Sequence, residues 1–325
     1  MGKTVKNSNK NKSKKLSQKR KKMNLVYMAK PPYGGWVSFT THLSKKYDYE
    51  LFKIGNKTET KKREYGYGVK YQNLSIDDLL KKPNLLITAI DKKYYEYLPK
   101  IKKAKIVIHD PTELKEPVLE CLKRFEVITI RETVSKLLKE KYGIKNKFLL
   151  HPFYEFPKKI NKNKKNAVSI SRIDFDKHTD IILKANKKLY NPVDIYGAVN
   201  DLYIYHGKLK ELGFKKYYKG KFEKSFEAIH DLLSKYKFVV DMSAIKNDGG
   251  GSQYTFLEAI YMDCVLVLNS KWTSGVKTIF KDEKNCFIVS NEDELVKLMK
   301  KNPNTKNILN QSRKILAPHI NCSGW

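Results

Sequence analysis

The chain has few cysteines, and their spacing excludes two kinds of site. The four cysteines among its 325 residues are widely separated, with no Cys-x-x-Cys pair and no histidine placed to complete a ligand set. A structural zinc site needs closely spaced ligands, and a disulfide framework is typical of short secreted chains. We therefore expect a reducing, cytosolic environment. The four residues are Cys121, Cys264, Cys286 and Cys322.

Long apolar runs are also missing. No run approaches the roughly 20 residues of a membrane-spanning helix. The basic N-terminus lacks the apolar stretch of a signal peptide. We therefore expect a soluble, cytoplasmic protein with no membrane span. We also expect a monomer rather than an obligate oligomer.

Acidic residues are scarce. Lys and Arg number 66 against 34 Asp and Glu, which gives a formal net charge of +32. Residues 1–22 hold ten of the basic residues and no acid, leaving 56 basic against 34 acidic residues elsewhere. Such a charge attracts nucleic acid, anionic membranes or phosphorylated ligands. An AT-rich genome, which encodes Lys and Asn wherever the surface tolerates them, gives the same bias, so charge alone leaves DNA binding open.

The rest of the sequence predicts an α/β protein of two domains. Residues 1–22 are of low complexity, and we expect a disordered basic tail. Short apolar runs then alternate with helical stretches, which favours parallel sheets covered by helices on both faces. The alternation restarts after a polar segment. We predict a first domain over 23–153, a linker over 154–166, and a second domain over 167–325 whose last helix packs back on the first.

Ligands of open parallel sheets bind beyond the carboxyl ends of the strands, so the residues that follow each predicted strand are candidates. The predicted strands are 24–29, 49–54, 85–90, 105–109, 126–130, 148–150, 167–171, 193–196, 217–219, 238–242 and 265–268. The predicted helices are 36–46, 75–82, 134–142, 178–189, 225–234, 252–261 and 292–300.

Two candidates follow strands of the first domain. Gly34 and Gly35 precede a helix, where a backbone without Cβ atoms and free N–H groups suit a phosphate, although any tight turn uses glycine. His109 and Asp110 end a strand before Pro111, and could bind a sugar hydroxyl or take a proton from an acceptor. Asp110 could equally cap the following turn.

Two more candidates lie in the second domain. Arg172 offers a bidentate fork to a diphosphate, and Lys177 a point charge. Between them, Asp174-Phe175-Asp176 has the spacing of a metal-binding Asp-x-Asp motif, but we interpret these acids as solvated and expect no metal site. Further on, the DGGGSQYT segment suits a diphosphate cradle at a helix N-terminus, or is a plain flexible loop. Its candidate residues are Gly250, Gly251, Ser252, Tyr254 and Thr255, followed by Glu258 for the ribose hydroxyls.

In this order the segments resemble the GT-B glycosyltransferases, in particular the large retaining superfamily that includes glycogen and sucrose synthases. PYGGWVSFTTHL is similar to the first glycine loop and helix of that family. VSISRIDFDKHTDIILKA with VDIYG resembles its donor loop and next strand, and FLEAIYMDCVLVL its ribose helix. The likeness covers most of residues 23–300, with strong identity confined to these blocks. It implies two Rossmann-like domains facing across a cleft, and adds Gly197 to the donor site.

Two positions depart from the pattern of the family. The usual second Glu, eight positions before the ribose Glu, is Gly250 here, and Asp248 is the nearest acid. Met262 and Asp263 replace the usual small residue and glycine after the helix.

A narrower resemblance is to the DNA α-glucosyltransferases of T-even phages. It rests on the loop YMAKPPYGGWVSFTTHL, on IVIHDP, on the Arg and Lys five residues apart, and on YTFLE. It implies that Asp110, beside His109, is the candidate base or orients the acceptor. It also implies that Arg172 and Lys177 neutralise the leaving diphosphate while Glu258 holds the ribose.

Residues and resemblance together predict a metal-independent hexosyltransferase, and the resemblance alone implies that it is retaining. The expected donor is a UDP-sugar, with glucose as the sugar, and no cofactor is tightly bound. The expected acceptor is a hydroxymethylated base in DNA, flipped toward His109 and Asp110, in the host cytoplasm if the protein is viral. Two alternatives stay open: a glycan, lipid or protein acceptor, and a non-catalytic nucleic-acid-binding protein on a degenerate GT-B scaffold.

Overall fold

The computed structural model describes residues 22–28, 35–54, 67–159, 161, 163–222, 224–244, 253–275 and 277–325. The predicted basic tail therefore lies, apart from Lys22, outside the described residues. Among the helices of these ranges, none is both long and apolar enough to cross a membrane.

The first half contains a sheet of seven parallel strands. Its strands are β1 (Asn24–Tyr27), β2 (Glu50–Ile54), β3 (Gln72–Leu74), β4 (Leu85–Thr88), β5 (Ala104–Ile108), β6 (Glu126–Thr129) and β7 (Asn146–Phe148). Their order in the sheet is β3-β2-β1-β4-β5-β6-β7. Leu25 of β1 lies beside Leu86 of β4 and faces one core, while Val26 and Ile87 face the other. Burial on both faces explains why these strands are continuous apolar runs in the sequence.

Helices connect these strands on both sides of the sheet. They are α1 (Gly35–Tyr47), α2 (Ile76–Lys81), α3 (Glu116–Leu122) and α4 (Glu132–Tyr142), with 3-10 helices at Lys92–Lys100 and Pro111–Glu113.

The second half repeats the arrangement with six parallel strands. They are β8 (Lys165–Ile170), β9 (Asp194–Tyr196), β10 (Tyr218–Gly220), β11 (Tyr236–Asp241), β12 (Val265–Asn269) and β13 (Phe287–Val289), in the order β10-β9-β8-β11-β12-β13. The helices are α5 (Thr179–Asn186), α6 (Asp201–His206), α7 (Phe214–Tyr217), α8 (Phe226–Leu233), α9 (Tyr254–Tyr261), α10 (Ser270–Thr273), α11 (Glu292–Lys301) and α12 (Lys306–Ile320), with a 3-10 helix at Phe175–Lys177. Both sheets place their first strand centrally, so the predicted pair of Rossmann-like halves is confirmed.

The two halves share a buried interface. One hydrophobic cluster runs from Leu25 in the first sheet to Leu257 on α9. Within the segment predicted as the linker, Phe156 is buried and its ring lies 4.9 Å from Phe226 and 4.8 Å from Tyr261. This segment is therefore packed into the interface between the halves.

The C-terminal segment after α12 returns to the first half. The amide of Phe153 donates to the carbonyl of His319 at 3.1 Å, and the Tyr47 hydroxyl donates to the carbonyl of Cys322 at 2.6 Å. Trp325 is buried, with its ring 5.3 Å from that of Phe39 on α1. Residues 319–325 thus form part of the core of the first half.

Candidate functional site

Arg172 lies just beyond the carboxyl end of β8, in the loop that leads to α5. Its Nη1 atom is 2.9 Å from Oδ2 of Asp174, and its Nη2 atom is 3.5 Å from Oδ2 of Asp176. The side chain is nevertheless 63% exposed. A guanidinium has five N–H donors, so this one is fixed in direction and still has donors facing solvent.

Lys177 joins the same loop to the end of β11. Its Nζ atom donates to Oγ of Ser243 at 2.9 Å and lies 3.5 Å from Oδ2 of Asp176. The side chain is only 10% exposed. The structure therefore brings the two predicted cations together, linked through Asp176.

Asp174, which was interpreted as a solvated acid, is partly exposed and also has a structural role. This carboxylate caps the short helix Phe175–Lys177 and accepts from the amide of Phe175 and from Nδ2 of Asn200, both at 2.9 Å. Burial alone would raise the pKa of Asp174, but these hydrogen bonds and the Arg172 charge lower it. Asp174 therefore shapes the loop that carries Arg172.

His109 lies at the carboxyl end of β5, buried beneath α1. Its Nε2 atom is hydrogen-bonded to the hydroxyl of Thr88, and its ring meets Phe39 edge-on at 4.7 Å. Burial and the nearby Arg131 charge lower the pKa of His109 to about 3. The imidazole is therefore neutral at physiological pH.

Asp110 caps the turn that follows β5. Its carboxylate accepts from the amide of Thr112 at 2.8 Å and from the hydroxyl of the same residue. Glu113 completes a capping box by accepting from the amide of Asp110 at 3.1 Å. Asp110 therefore forms the turn cap, one of the two roles that the sequence suggested for it. Its role as a proton acceptor stays a prediction.

Glu258 lies on α9 and is buried in the interface between the halves. Its Oε1 atom is 3.3 Å from Nε2 of His42 on α1 and also accepts from the hydroxyl of Tyr67. Its Oε2 atom is 2.8 Å from Nζ of Lys224, whose side chain is 23% exposed. Both oxygens therefore have protein partners, and direct contact of Glu258 with a ribose stays a prediction.

The protonation of this cluster follows from its hydrogen bonds. The amide of Tyr154 donates to Nδ1 of His42 at 3.0 Å, so the ring proton is on Nε2 and is donated to Glu258. Burial lowers the pKa of His42 and keeps the ring neutral. Burial alone would raise the pKa of Glu258, but Lys224 and His42 lower it, so a carboxylate is paired with an ammonium.

Solved structures with a similar fold align with most of the chain. No known family model matches the sequence, and no curated protein matches it in sequence. The Anabaena protein Alr3699/HepE, solved with UDP-glucose, aligns over 92% of this chain and 95% of its own, with a TM-score of 0.62 and 14% identity. A glycosyltransferase from Rickettsia africae aligns over 92% and 96%, with a TM-score of 0.61 and 14% identity.

A third structure matches part of its own length. TarM of S. aureus, as a mutant solved with UDP and other ligands, aligns over 73% of this chain and 52% of its own, with a TM-score of 0.52 and 16% identity. The chain has the GT-B fold. At these identities the comparison shows the fold alone.

Within the GT-B fold, Gly197 follows β9 beneath the Arg172 loop. Its φ is +154°, and a Cβ there would lie 1.7 Å from the carbonyl oxygen of Ser171. The loop can therefore cross β9 only if this residue has no side chain. This packing role accounts for the glycine, and direct contact with a donor stays a prediction.

We expect Gly197→Ala to displace the Arg172 loop, destabilising the protein by more than about 1 kcal/mol and weakening donor binding. Urea unfolding and calorimetric titration with UDP measure the two effects. Gly213→Ala is the matched control, because Gly213 also has a positive φ (+80°) but a Cβ there would lie 3.7 Å from its nearest neighbour. Equal losses in both variants would contradict the collision with Ser171.

Several predicted site residues have other positions or lie outside the described chain. Tyr254 stacks on His42 at 4.5 Å and donates to the carbonyl of Pro152 at 2.9 Å, so it packs the interface between the halves. Thr255 is the second residue of α9 and is partly exposed. Gly35 begins α1, and no described atom lies within 4 Å of a Cβ built there. The predicted residues outside the described ranges are Gly34, Gly250, Gly251 and Ser252.

Sequence reasoning missed Glu113, which is 5% exposed beneath His109 and Asp110. The signal was present as Asp-Pro-Thr-Glu, since an acid three residues after a capping Asp is the pattern of a capping box. The partners of Glu258 had no such signal, because His42 and Tyr67 lie 216 and 191 residues earlier in the sequence. Within the described ranges, no three His, Cys, Asp or Glu side chains are arranged to hold a metal ion.

Proposed function

We propose that the protein is a glycosyltransferase that uses a UDP-sugar donor, with glucose as the first sugar to test. The observation that carries the proposal is the pair Arg172 and Lys177 at the carboxyl edge of the second sheet, in a GT-B fold. Two cations fixed on one loop suit a diphosphate leaving group. The neighbour HepE, which shares the fold, was solved with UDP-glucose.

In the proposed reaction the bond between the anomeric carbon and the diphosphate oxygen breaks, and an acceptor hydroxyl forms the new bond to that carbon. Arg172 and Lys177 stabilise the charge that develops on the departing UDP. The hydroxyl proton passes to Asp110 or to the leaving phosphate. Retention of the anomeric configuration and independence from metal ions belong to the proposal, and rest on the family resemblance and on these cations.

As acceptor we propose a hydroxymethylated base in DNA, a choice supported by the net charge of +32 and by the short blocks shared with phage enzymes. Radiolabelled UDP-glucose, incubated with DNA that contains or lacks hydroxymethylated bases, tests it. Label confined to the hydroxymethylated DNA supports both donor and acceptor. Release of free glucose without labelled DNA would reject the acceptor only. Absence of UDP binding by calorimetry would reject the transferase, and retained DNA binding would then favour the non-catalytic alternative.

Arg172→Ala and Lys177→Ala are each expected to weaken UDP binding by roughly 1.5–3 kcal/mol, the strength of a hydrogen bond to a charged group. Calorimetry with UDP measures the loss, and melting temperatures show that the fold is intact. Lys184→Ala is the control, because Lys184 also pairs with an acid at 3.0 Å, on the helix that follows the loop. Unchanged UDP affinity in both loop variants would remove the loop from the donor site.

A further inference from the structure

Glu113 holds the backbone of both candidate residues at the edge of the first sheet. Its Oε1 atom accepts from the amide of His109 at 2.8 Å and from the amide of Asp110 at 3.1 Å. Asp110 in turn accepts from the amide of Thr112 at 2.8 Å. The direction of the Asp110 carboxylate is therefore fixed from both ends of the turn.

A cap does not by itself explain the burial of Glu113. Capping acids are ordinarily solvated, whereas this side chain is 5% exposed. Its second oxygen, Oε2, is buried and has no hydrogen-bond partner among the described residues. A buried acceptor without a partner costs free energy, and an ionised carboxylate there would cost more.

The groups around Glu113 shift its pKa in opposite directions. Burial and the Asp110 charge raise its pKa to about 8, while the two amide hydrogen bonds and the Arg131 charge act in the opposite direction. Asp110, His109 and the amides belong to its own turn. Arg131 precedes α4. Tyr95 belongs to the helix Lys92–Lys100, and its pKa is raised by burial first, then by the charges of Asp91 and Glu113.

We propose that Glu113 is a positioning residue: its buried carboxyl group fixes the backbone of His109 and Asp110, and so directs the Asp110 carboxylate toward the acceptor. The link to an acceptor rests on the proposed function, but the positioning itself does not. A buried neutral acid accepts both amides through its carbonyl oxygen and places no second negative charge beside Asp110. An ionised acid at the same position would repel the negative charge of the Asp110 carboxylate.

The proposal has a thermodynamic signature that does not depend on activity. The unfolded chain releases the Glu113 proton near pH 4.5, whereas the folded protein keeps it to about pH 8. The folded state therefore binds more protons between these values, and stability falls as pH rises through this window. Glu113→Gln, which is neutral at every pH, should reduce that fall.

Two variants and a control test the positioning role. Glu113→Ala is expected to speed hydrogen exchange at the amides of His109 and Asp110 by about tenfold, as expected when an ordinary hydrogen bond is lost. Turnover should fall while UDP affinity is kept. Glu113→Gln keeps an acceptor oxygen, so exchange should stay near that of the parent protein. Glu116→Gln, at an exposed position on α3, is the control.

The measurements are two-dimensional NMR for amide exchange, urea unfolding between pH 4.5 and 8, and turnover with its KM. Unchanged exchange at both amides in Glu113→Ala would overturn the proposal. An equal pH dependence of stability in the parent and in Glu113→Gln would also overturn it. If the parent protein transfers no sugar, the proposed function fails, while exchange and stability still decide the role of Glu113.

Discussion

Asp110→Ala is expected to lower turnover by roughly 10²–10⁴-fold while the affinity for UDP changes little. Asp110 lies in the turn after β5 of the first half, whereas Arg172 and Lys177 lie on the second half. A carboxylate in this position can orient or deprotonate an acceptor hydroxyl without touching the donor. Steady-state kinetics and calorimetry with UDP separate the two effects.

Asp110→Asn distinguishes the catalytic role from the cap that the structure contains. Asn is as good an N-cap as Asp and still accepts from the amide of Thr112, but it cannot take a proton. A catalytic Asp110 predicts that the Asn variant melts near the parent temperature and is nearly inactive. Full activity in the Asn variant, with loss of about 1 kcal/mol of stability in the Ala variant, would leave Asp110 as a cap alone.

Lys224→Met should destabilise the protein by about 3–5 kcal/mol, because it leaves the buried carboxylate of Glu258 without its ammonium partner. His42 cannot compensate, since the Tyr154 amide occupies its second nitrogen and holds the ring neutral. The double variant Lys224→Met/Glu258→Gln should recover much of the loss, because no unpaired charge remains. Urea unfolding of the parent, the two single variants Lys224→Met and Glu258→Gln, and the double variant gives the coupling energy.

The control for this prediction is Lys215→Met, which removes an exposed ammonium on α7. The pH dependence is a further check. The folded pKa of Glu258 is lowered below its ordinary 4.5, so its contribution to stability is present above pH 4.5. That contribution is lost as pH falls through the folded value. A Lys224→Met protein as stable as the control would show that the pair stabilises nothing.

Glu258→Gln distinguishes a structural role of Glu258 in its buried cluster from the predicted contact with a ribose. This variant breaks the buried pair with Lys224, so the melting temperature should fall in either case. A ribose ligand predicts weaker UDP binding in addition, whereas a purely structural carboxylate predicts unchanged UDP binding.

The sequence predicted the strands of both sheets where burial on two faces left continuous apolar runs, as at Leu85–Thr88 and Val265–Asn269. It missed two three-residue edge strands, Gln72–Leu74 and Phe287–Val289. It placed the other two edge strands, Asn146–Phe148 and Tyr218–Gly220, one or two residues from their observed bounds. At the candidate site, too, the sequence predicted only features formed by residues close together in the chain. The Arg172 loop was predictable because its residues are neighbours in sequence.

Contacts across the interface had no local signal. Glu258 stood out on its helix, but burial against His42 and Tyr67 depends on how two distant halves pack. The contact between Asp174 and Asn200 had no local signal either, because Asn200 belongs to the next strand connection. Hydrophobic periodicity reports which face of an element is buried and gives no information on which polar groups meet there.

The return of residues 319–325 to the first half affects how the chain folds during synthesis. The N-terminal domain of a multidomain protein ordinarily folds first, while the ribosome adds roughly 5–20 residues per second. Here the contacts of Phe39 and of the carbonyl acceptors of that domain form only with a segment that is synthesised more than 160 residues after Phe153. The first half should therefore stay incomplete for roughly ten seconds or more, leaving an apolar surface open for a chaperone until the second half has been translated.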